Sequence, residues 1–287
     1  MSILETKNLS YVYAQGMPFA HAALHDVSVS FEEGELTAVI GHTGSGKSTL
    51  MQLLNGLLKP AAGTVLLHGK DIWENPKAIR DIRFKVGLVF QYPEYQLFEE
   101  TVEKDIAFGP RNQGLSDEEI AARVKEAAEL VELPPALLQK SPFDLSGGEK
   151  RRAAIAGVLA MRPEILILDE PTAGLDPHGR EMILSLIDRY RREHHTTVLL
   201  VSHSMEDVAR VADKVLVLQN SAVVMYDTAP AVFARAKELE QMGLSVPAVT
   251  RIFALLKEVG VAVDAPAYTV DAAAKQLLSL LREKGVR

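Results

Sequence analysis

Short apolar runs recur along the chain, and each is bounded by turn residues or by a helical pattern. Continuous runs at 36–40, 165–168 and 197–201 indicate strands that are buried on both faces. Residues 27–31 instead alternate between apolar and polar, as a strand with one exposed face does. Because such runs alternate with helical stretches, we expect an α/β fold with a largely parallel sheet and helices on both faces.

From about residue 92 to about residue 161 the pattern is helical. Ser116 and Glu119 have the spacing of a capping box, at the start of a helix that is expected to continue to about Val131. Prolines between residues 134 and 142 then interrupt the helical pattern, before the alternation of strands and helices resumes at 165. We therefore expect a helical segment inserted into the α/β domain.

After residue 227 the periodicity predicts helices only. Helix starts are predicted at Thr228 with Pro230, at Ser245 with Pro247, and at Thr269. Gly243 and Gly260 are expected to end the first two helices. Apolar residues of the third helix share one face: Ala273, Leu277, Leu280 and Leu281. This pattern is typical of a small helical appendage.

Composition favours a soluble globular protein. The 287 residues suffice for one large α/β domain and a small appendage. No apolar run reaches the roughly 20 residues that span a bilayer, and the N-terminus lacks a signal-peptide pattern. A net charge of −7 argues against a general nucleic-acid-binding surface, and the absence of cysteine excludes disulfides and thiolate metal sites. A membrane role would therefore require a partner protein.

The strand at 36–40 is followed by Gly41-His42-Thr43-Gly44-Ser45-Gly46-Lys47-Ser48-Thr49 and by a helix expected to end at Gly56. This order and the GxxxxGK[ST] spacing are those of a phosphate-binding P-loop. Glycines let backbone N–H groups surround a phosphate, and the helix N-terminus adds positive potential. Lys47 is predicted to bind the β- and γ-phosphates, and Ser48 to ligate Mg²⁺. We therefore expect the chain to bind a nucleoside triphosphate.

A second helix start with glycines lies at Leu145-Ser146-Gly147-Gly148-Glu149. Ser146 and Glu149 can form a capping box without any ligand. A cap does not require two consecutive glycines, because each lowers helix stability, whereas close approach of an anion to the backbone does favour them. The local sequence leaves both interpretations open.

Together with the P-loop, residues 145–149 resemble the signature motif of ATP-binding cassette (ABC) ATPases. The family usually has glutamine where this chain has Glu149, and the motif tolerates that variation. Other family motifs follow in the same order, so the resemblance covers residues 3–225. In this family two cassettes dimerise head to tail, with each ATP between one P-loop and the partner's signature helix. The resemblance implies that Ser146, Gly147 and Gly148 contact the γ-phosphate held by a partner.

Two adjacent carboxylates, Asp169 and Glu170, end the apolar strand at 165–168. Because neighbouring strand residues point to opposite faces, we expect them to have different roles. Asp169 resembles the Walker B aspartate, which holds Mg²⁺ and its waters. Glu170 is similar to the family's general base for the attacking water, a role worth about 10²–10⁴-fold in rate. The implied cofactors are ATP and Mg²⁺.

Four further positions take their predicted roles from the resemblance. His203 follows an apolar strand and resembles the switch histidine that contacts the γ-phosphate. Gln91 resembles the Q-loop glutamine, which contacts Mg²⁺ and links the nucleotide to the membrane partner. Asp176 resembles the D-loop aspartate at the dimer interface. Tyr13 resembles the aromatic residue that stacks on adenine, with the neighbouring Tyr11 as the alternative.

Aromatic residues are concentrated at 90–98, a stretch that continues into 101–110. These residues could form a packed junction between sheet and helical segment, or a groove that receives helices of a membrane subunit. With 40–49 and 147–161, they resemble the ATPases of energy-coupling factor (ECF) transporters, which take up vitamins or transition-metal ions. Within that group, His42 and Thr43 make the P-loop most similar to the second of two paralogous ATPases in vitamin-type modules.

The resemblance also implies an architecture. We expect a P-loop NTPase fold, with a RecA-like core, an N-terminal antiparallel β part and a helical subdomain at about 92–161. Residues 1–227 would form the ATPase domain, and 228–287 a helical dimerisation domain.

The implied protein is the ATPase of an importer at the cytoplasmic face of the cell membrane. Its partners would be a second ABC ATPase, a transmembrane scaffold subunit and a substrate-binding membrane subunit, with no nucleic acid. A heterodimer is favoured and a homodimer stays open, and the transported substrate is not predicted. The alternatives are the ATPase of another ABC importer or exporter, or a soluble ABC ATPase outside transport.

Overall fold

Two β-sheets form the frame of the molecule, of which the computed structural model describes residues 2–261, 263 and 267–283. The strands, numbered in chain order, are β1 (Ser2–Tyr13), β2 (His21–Glu32), β3 (Leu36–Ile40), β4 (Ala62–Leu67), β5 (Lys70–Asp71), β6 (Val86–Val89), β7 (Ile165–Asp169), β8 (Thr197–Val201), β9 (Lys214–Gln219) and β10 (Ala222–Thr228).

Helices surround these sheets and form the C-terminal part of the chain. They are α1 (Lys47–Leu54), α2 (Ile79–Lys85), α3 (Val102–Asn112), α4 (Asp117–Leu130), α5 (Pro135–Leu138), α6 (Gly147–Leu159), α7 (Pro177–His194), α8 (Met205–Val211), α9 (Ala229–Ala234), α10 (Ala236–Gln241), α11 (Ala248–Glu258) and α12 (Val270–Glu283). Short 3₁₀ turns lie at Pro76–Ala78, Pro93–Gln96 and Pro142–Asp144.

The larger sheet has the strand order β10-β9-β3-β8-β7-β6. Its strands from β9 to β6 run parallel, and β10 pairs antiparallel with β9 at one edge. Every residue of β3, β7 and β8 is buried, as expected for strands that are covered by helices on both faces. The predicted α/β class with a largely parallel sheet is confirmed.

The smaller sheet is antiparallel, with the order β2-β1-β4-β5. Its first two strands have twelve residues each, longer than the short runs that the sequence pattern predicted. Register shifts interrupt the pairing of β1 with β2 at several points. Each such bulge reverses which residues face the core. The alternation of apolar and polar residues is therefore interrupted within a strand that itself continues.

Helices α3 to α6 fill the interval between β6 and β7, as the helical pattern predicted. Ser116 caps α4 by accepting a hydrogen bond from the backbone N of Glu119 at 3.3 Å, and the helix ends at Leu130. Buried residues of α3, α4 and α6, such as Ile106, Val124 and Ile155, share one hydrophobic cluster with β7 and β8. The inserted helices therefore pack directly on the sheet that carries the site.

The first predicted C-terminal helix is two helices in the structure. Arg235 leaves the helical conformation, with φ −92° and ψ 39°, and separates α9 from α10. Phe233 and Leu239 are both fully buried in one cluster, although on a straight helix they would point about 120° apart. The break at Arg235 lets both side chains face the core.

The other two C-terminal helices begin close to their predicted starts. Pro247, not Ser245, occupies the N-cap of α11, and the backbone N of Ala248 donates to Glu206 Oε1 at 3.3 Å. A carboxylate from α8 thus takes the capping role that was assigned to Ser245. Thr269 accepts from the backbone N of Ala272 at 3.3 Å, at the start of α12.

Hydrophobic contacts continue across the predicted domain boundary at 227/228. Val232, Phe233 and Leu239 belong to the same cluster as Ala38 and Ile40 of β3. A separate small cluster begins with α11, around Phe253, Ala267 and Ala273. The division predicted at 227 stays a prediction, because α9 and α10 pack on the larger sheet. Within the described ranges, the helices are too short or too polar to cross a bilayer.

Candidate active site

The carboxyl ends of three neighbouring strands meet at one edge of the larger sheet. β3 continues into the loop 41–46 and α1, while Asp169 ends β7. Val201, the last residue of β8, lies between them and pairs with Val39 and with Asp169. Ligands of open parallel sheets bind at this edge, where the connecting loops are anchored by rigid strands.

The P-loop is packed so tightly that glycine is required at two positions. A Cβ atom on Gly46, which has φ 101°, would collide with the carbonyl oxygen of Ala23. A Cβ atom on Gly41 would collide with the carbonyl oxygen of Leu218. No side chain caps the N-terminus of α1, where Gly46 is the N-cap residue. The first backbone N–H groups of α1 are therefore available to an anion.

Lys47 lies across the loop. Its Nζ donates to the carbonyl oxygens of Gly41 at 2.7 Å and His42 at 3.0 Å, and its side chain is buried. Burial lowers the pKa of Lys47, while the charges of Glu170 and Asp169 act in the opposite direction. The ammonium group is thus held at the mouth of the P-loop, where a phosphate would replace the two carbonyl contacts.

Asp169 and Ser48 form the oxygen-rich part of the site. Burial raises the pKa of Asp169, whereas a hydrogen bond from Ser48 and the charge of Lys47 lower it. Hydroxyl and carboxylate oxygens are the ligands that Mg²⁺ prefers, so this pair fits that ion. Gln91, the third predicted metal contact, follows β6 as an exposed residue at the same edge of the sheet.

Glu170 is held in an unusual backbone conformation with φ 53°. Burial, and then the neighbouring Asp169, raise the pKa of its carboxyl group to about 7. Its Oε1 lies 3.2 Å from Nε2 of His203 and, among the described residues, accepts no aligned hydrogen bond. Burial and the charge of Lys47 lower the pKa of His203. A buried, unsatisfied carboxylate oxygen is an acceptor for a proton of a reacting water.

Tyr13 lies beside the P-loop helix, since its hydroxyl is 3.2 Å from Thr49 Oγ1. Its ring is 40% exposed, whereas Tyr11 is half-buried and packs edge-on against Tyr13. The exposed ring fits the predicted stacking on adenine better than the buried one. The exposed P-loop residues are His42, Thr43, Gly44 and Ser48.

The predicted contacts to a partner's nucleotide lie at two other helix starts. Ser146 and Glu149 form the complete capping box of α6, with Glu149 Oε2 accepting from the backbone N of Ser146 at 2.8 Å. Asp176 caps α7 by accepting from the backbone N of Gly179 at 2.7 Å. Ser146 and Gly147 are exposed, so a second molecule can reach them. Their roles at a dimer interface stay predictions.

Two charged residues near the site were missed by sequence reasoning. Arg151 of α6 is buried and forms a bidentate ion pair with Glu94, which lies in the turn Pro93–Gln96. Both lie in stretches that carry the resemblance, 90–98 and 147–161, but 57 positions separate them in the chain, so no local pattern pairs them. The available sequence signal was an arginine three residues after Gly148.

Comparison with protein families gives a consistent result. The model of a family described as ABC transporter matches residues 24–173. A second model, of an AAA domain described as a putative AbiEii toxin of a type IV TA system, matches residues 140–207. The first match includes the P-loop, the signature motif and Glu170.

Relatives match over nearly their whole length. The energy-coupling factor transporter ATP-binding protein EcfA2 of Clostridium acetobutylicum is 53% identical over 97% of this chain and 98% of its own. The protein of the same name from Caldanaerobacter subterraneus subsp. tengcongensis is 52% identical over the same shares. That from Clostridioides difficile is 48% identical over 100% of both chains.

Solved structures agree with the family model and with these relatives. CbiO1 from Clostridium perfringens, described as part of the ABC transporter complex cbiONQ, superposes with a TM-score of 0.75 and 38% identity, over 89% of this chain and 99% of that one. A dimeric ATP-binding cassette in a post-hydrolysis state with ADP and Pi gives a TM-score of 0.71 and 29% identity, over 79% of this chain and 98% of that one.

Proposed function

Since the chain belongs to the ABC transporter family, as one of its energy-coupling factor ATP-binding proteins, we propose that it hydrolyses ATP with the P-loop, Asp169, Glu170 and His203. The chain is an ATP-binding subunit of an ECF transporter, and the predicted similarity to the second paralogous ATPase is confirmed by the name of its relatives. The assignment of each step to a residue is the part that we propose.

Phosphate binding rests on the P-loop. The uncapped N-terminus of α1 offers backbone N–H groups to the β- and γ-phosphates, and Lys47 adds a positive charge from the first turn. Tyr13 stacks on the adenine. Ser48, Asp169 and Gln91 hold Mg²⁺, which supplies charge neutralisation for the phosphates when it is bound.

Hydrolysis uses Glu170 as the base. Its free Oε1 takes a proton from a water whose oxygen forms the new bond to the γ-phosphorus, and the bond to the leaving ADP oxygen breaks. His203, 3.2 Å from Glu170, contacts the γ-phosphate and fixes the direction of the carboxylate. The products are ADP, inorganic phosphate and a proton.

A second cassette completes the site. Ser146, Gly147 and Gly148 of one molecule contact the γ-phosphate of the other, and Asp176 lies across the interface. The partner is a second ABC ATPase, and the resemblance favours a heterodimer. Residues 228–287 contribute a further dimer contact.

Closure of the two cassettes then drives transport through membrane subunits. The chain is peripheral to a membrane transporter, and we place it on the cytoplasmic face, where ATP is supplied. A scaffold subunit receives the movement, and a separate substrate-binding subunit captures a vitamin or similar micronutrient.

The observation that carries this proposal is the meeting of Lys47, Asp169, Glu170 and His203 at one sheet edge, where a buried oxygen of Glu170 has no hydrogen-bond partner among the described residues. Glu170→Gln tests it. We expect turnover to fall by about 10²–10⁴-fold while ATP binding is retained and a closed dimer accumulates.

Glu164→Gln is a matched control, because Glu164 precedes the same strand, β7, at its other end and pairs with His68 and Lys85. It should hydrolyse ATP like the wild type. Turnover by Glu170→Gln at the wild-type rate would remove Glu170 as the base. Mass spectrometry of proteins that copurify from native membranes tests the partners: two large permease subunits would contradict the ECF assembly.

A further inference from the structure

The guanidinium group of Arg151 connects three segments of the chain. It lies on α6, and only 4% of its side chain is exposed. Nε donates to Glu94 Oε2 at 3.1 Å and Nη2 donates to Glu94 Oε1 at 2.8 Å. Nη1 donates to the carbonyl oxygens of Ala173 at 2.6 Å and Pro171 at 3.4 Å. These contacts use both edges of one rigid planar group.

Each contacted segment adjoins a functional element. Glu94 belongs to the turn Pro93–Gln96, which begins two residues after Gln91 and contains Tyr95, a residue that is 85% exposed. Pro171 directly follows Glu170, the proposed base, and Ala173 lies three residues after it, before Asp176. The first segment is therefore on the surface, and the second sets the position of the base.

A backbone hydrogen bond also fixes the segment after Glu170 close to the base. The backbone N of Ala173 donates to the carbonyl oxygen of Glu170 at 3.1 Å, which closes a tight turn. Arg151 holds the outer side of the same turn through the carbonyl oxygens of Pro171 and Ala173. Loss of the guanidinium would leave these two oxygens and the Glu94 carboxylate without their donor, so both segments would shift.

We propose that Arg151 is a positioning residue, which fixes the turn after Glu170 relative to the turn after Gln91. A displacement of the exposed turn at Glu94 then moves the backbone that carries the base, through one buried side chain. This inference rests on the proposed role of Glu170 as the base.

Steady-state kinetics of the assembled transporter test the inference. Arg151→Gln should lower kcat for ATP hydrolysis by about 10–100-fold, because a base misplaced by about 1 Å loses that much rate. KM for ATP should stay within about twofold, since the P-loop contacts are unchanged. Arg151→Lys keeps the charge without the planar fork and should recover only part of kcat.

Glu94→Gln examines the other end of the contact and does not depend on the folding of the Arg151 variants. It should lower kcat in the same direction by a smaller factor, because Arg151 keeps its bond to Ala173. The double variant should lose no more than Arg151→Gln alone, since both changes break one interaction.

Arg123→Gln is the matched control for a purely structural arginine. Arg123 is a half-buried residue of α4, where it pairs with Glu119 at 2.7 Å and donates to the carbonyl oxygen of Met161 at 3.3 Å. Its replacement should lower the melting temperature without changing kcat. If Arg151→Gln loses stability in the same way with kcat intact, or if Glu94→Gln has wild-type kcat, the inference is overturned.

The failure of this inference differs from failure of the proposed function. Retained turnover in Glu170→Gln would contradict the base assignment whatever the Arg151 variants do. An inactive Glu170→Gln together with wild-type kcat in Arg151→Gln would contradict the positioning role alone.

Discussion

The two glycine-containing helix starts, at α1 and at α6, are built in opposite ways. Gly46 leaves the N-terminus of α1 without a side-chain cap, and its own backbone is in the left-handed region. Ser146 and Glu149 form a complete capping box at the N-terminus of α6, with ordinary helical geometry at both glycines. A similar sequence feature thus gives one open helix start and one closed helix start.

The surroundings of the two helices differ in the same way. Around α1, Ser45 Oγ and Glu170 Oε1 are buried without a hydrogen-bond partner among the described residues. Burial also shifts the pKa values of Lys47 and Glu170 toward their neutral forms. Around α6, hydrogen bonds from Ser146 lower the pKa of Glu149 and stabilise its charge.

The difference in capping distinguishes two half-sites, the α1 side around the P-loop and the α6 side around the signature motif. The α1 side has backbone N–H groups without a side-chain cap, which can donate to a bound phosphate. The α6 side is capped by its own residues, so the proposed contact with a partner's phosphate would compete with an existing cap. Ligand binding should therefore begin at the P-loop and extend to the signature helix only when a second cassette arrives.

Lys47→Ala should give the largest change in ATP binding and tests the open half-site. Loss of a charged hydrogen-bond donor costs about 1.5–3 kcal/mol, which raises the Kd for ATP by about 10- to 150-fold. Calorimetric titration of the single chain with ATP measures this Kd. Lys150→Ala, in the first turn of the closed helix, is the control and should leave the Kd unchanged. Equal effects of the two changes would contradict the comparison.

The pH dependence of stability tests the burial of the Glu170 carboxyl group near the open helix start. The pKa of Glu170 rises from 4.5 to about 7 on folding, so between these values the folded chain binds a proton that the unfolded chain has lost. The nucleotide-free, metal-free chain should therefore lose stability as pH rises from 4.5 to about 7. Thermal unfolding of wild type and Glu170→Gln should diverge over this window, with the variant more stable at the upper end. Parallel curves would contradict the assigned burial of the carboxylate.

Alanine at the two glycines should change stability in opposite directions. Gly46→Ala forces a Cβ atom against Ala23 and should destabilise the fold by at least about 1 kcal/mol. Gly148→Ala meets no atom within 4 Å and should stabilise α6 by up to about 1 kcal/mol. If Gly148 lies against a partner's phosphate, this more stable variant should still hydrolyse ATP more slowly. Melting temperatures and turnover rates together show whether Gly148 has a role in catalysis. Unimpaired turnover would favour a purely structural role of Gly148.

Glu149→Gln should give the smallest effect. Removal of a charge from the first turn of α6 should cost about 0.3–1 kcal/mol of stability. The neutral side chain no longer opposes a phosphate near Ser146, so ATP-driven dimerisation should tighten. Glu119→Gln removes a carboxylate from the same position of the Ser116-capped α4, and provides the control. Analytical ultracentrifugation with ATP measures association; equal behaviour of the two variants would argue against a phosphate at α6.

Local patterns made much of the fold and site predictable. Lys47, Asp169 and Glu170 adjoin continuous apolar runs, and parallel strands of such runs bring their ends to one sheet edge. The sequence could not show the ion pair of Arg151 with Glu94, because it depends on how α6 packs on a distant turn. It also could not show the break at Arg235, which follows from burial of both Phe233 and Leu239 under the sheet.

The packing of Gly41 against Leu218 has a consequence for synthesis of the protein. The P-loop lies near the beginning of the chain, yet it is supported by β8 and β9, and its first glycine touches a carbonyl of residue 218. A ribosome must therefore release about three quarters of the polypeptide before the nucleotide pocket can form. Truncated or unfinished chains lack this support, so only molecules that already contain the signature helix and the base should draw on cellular ATP.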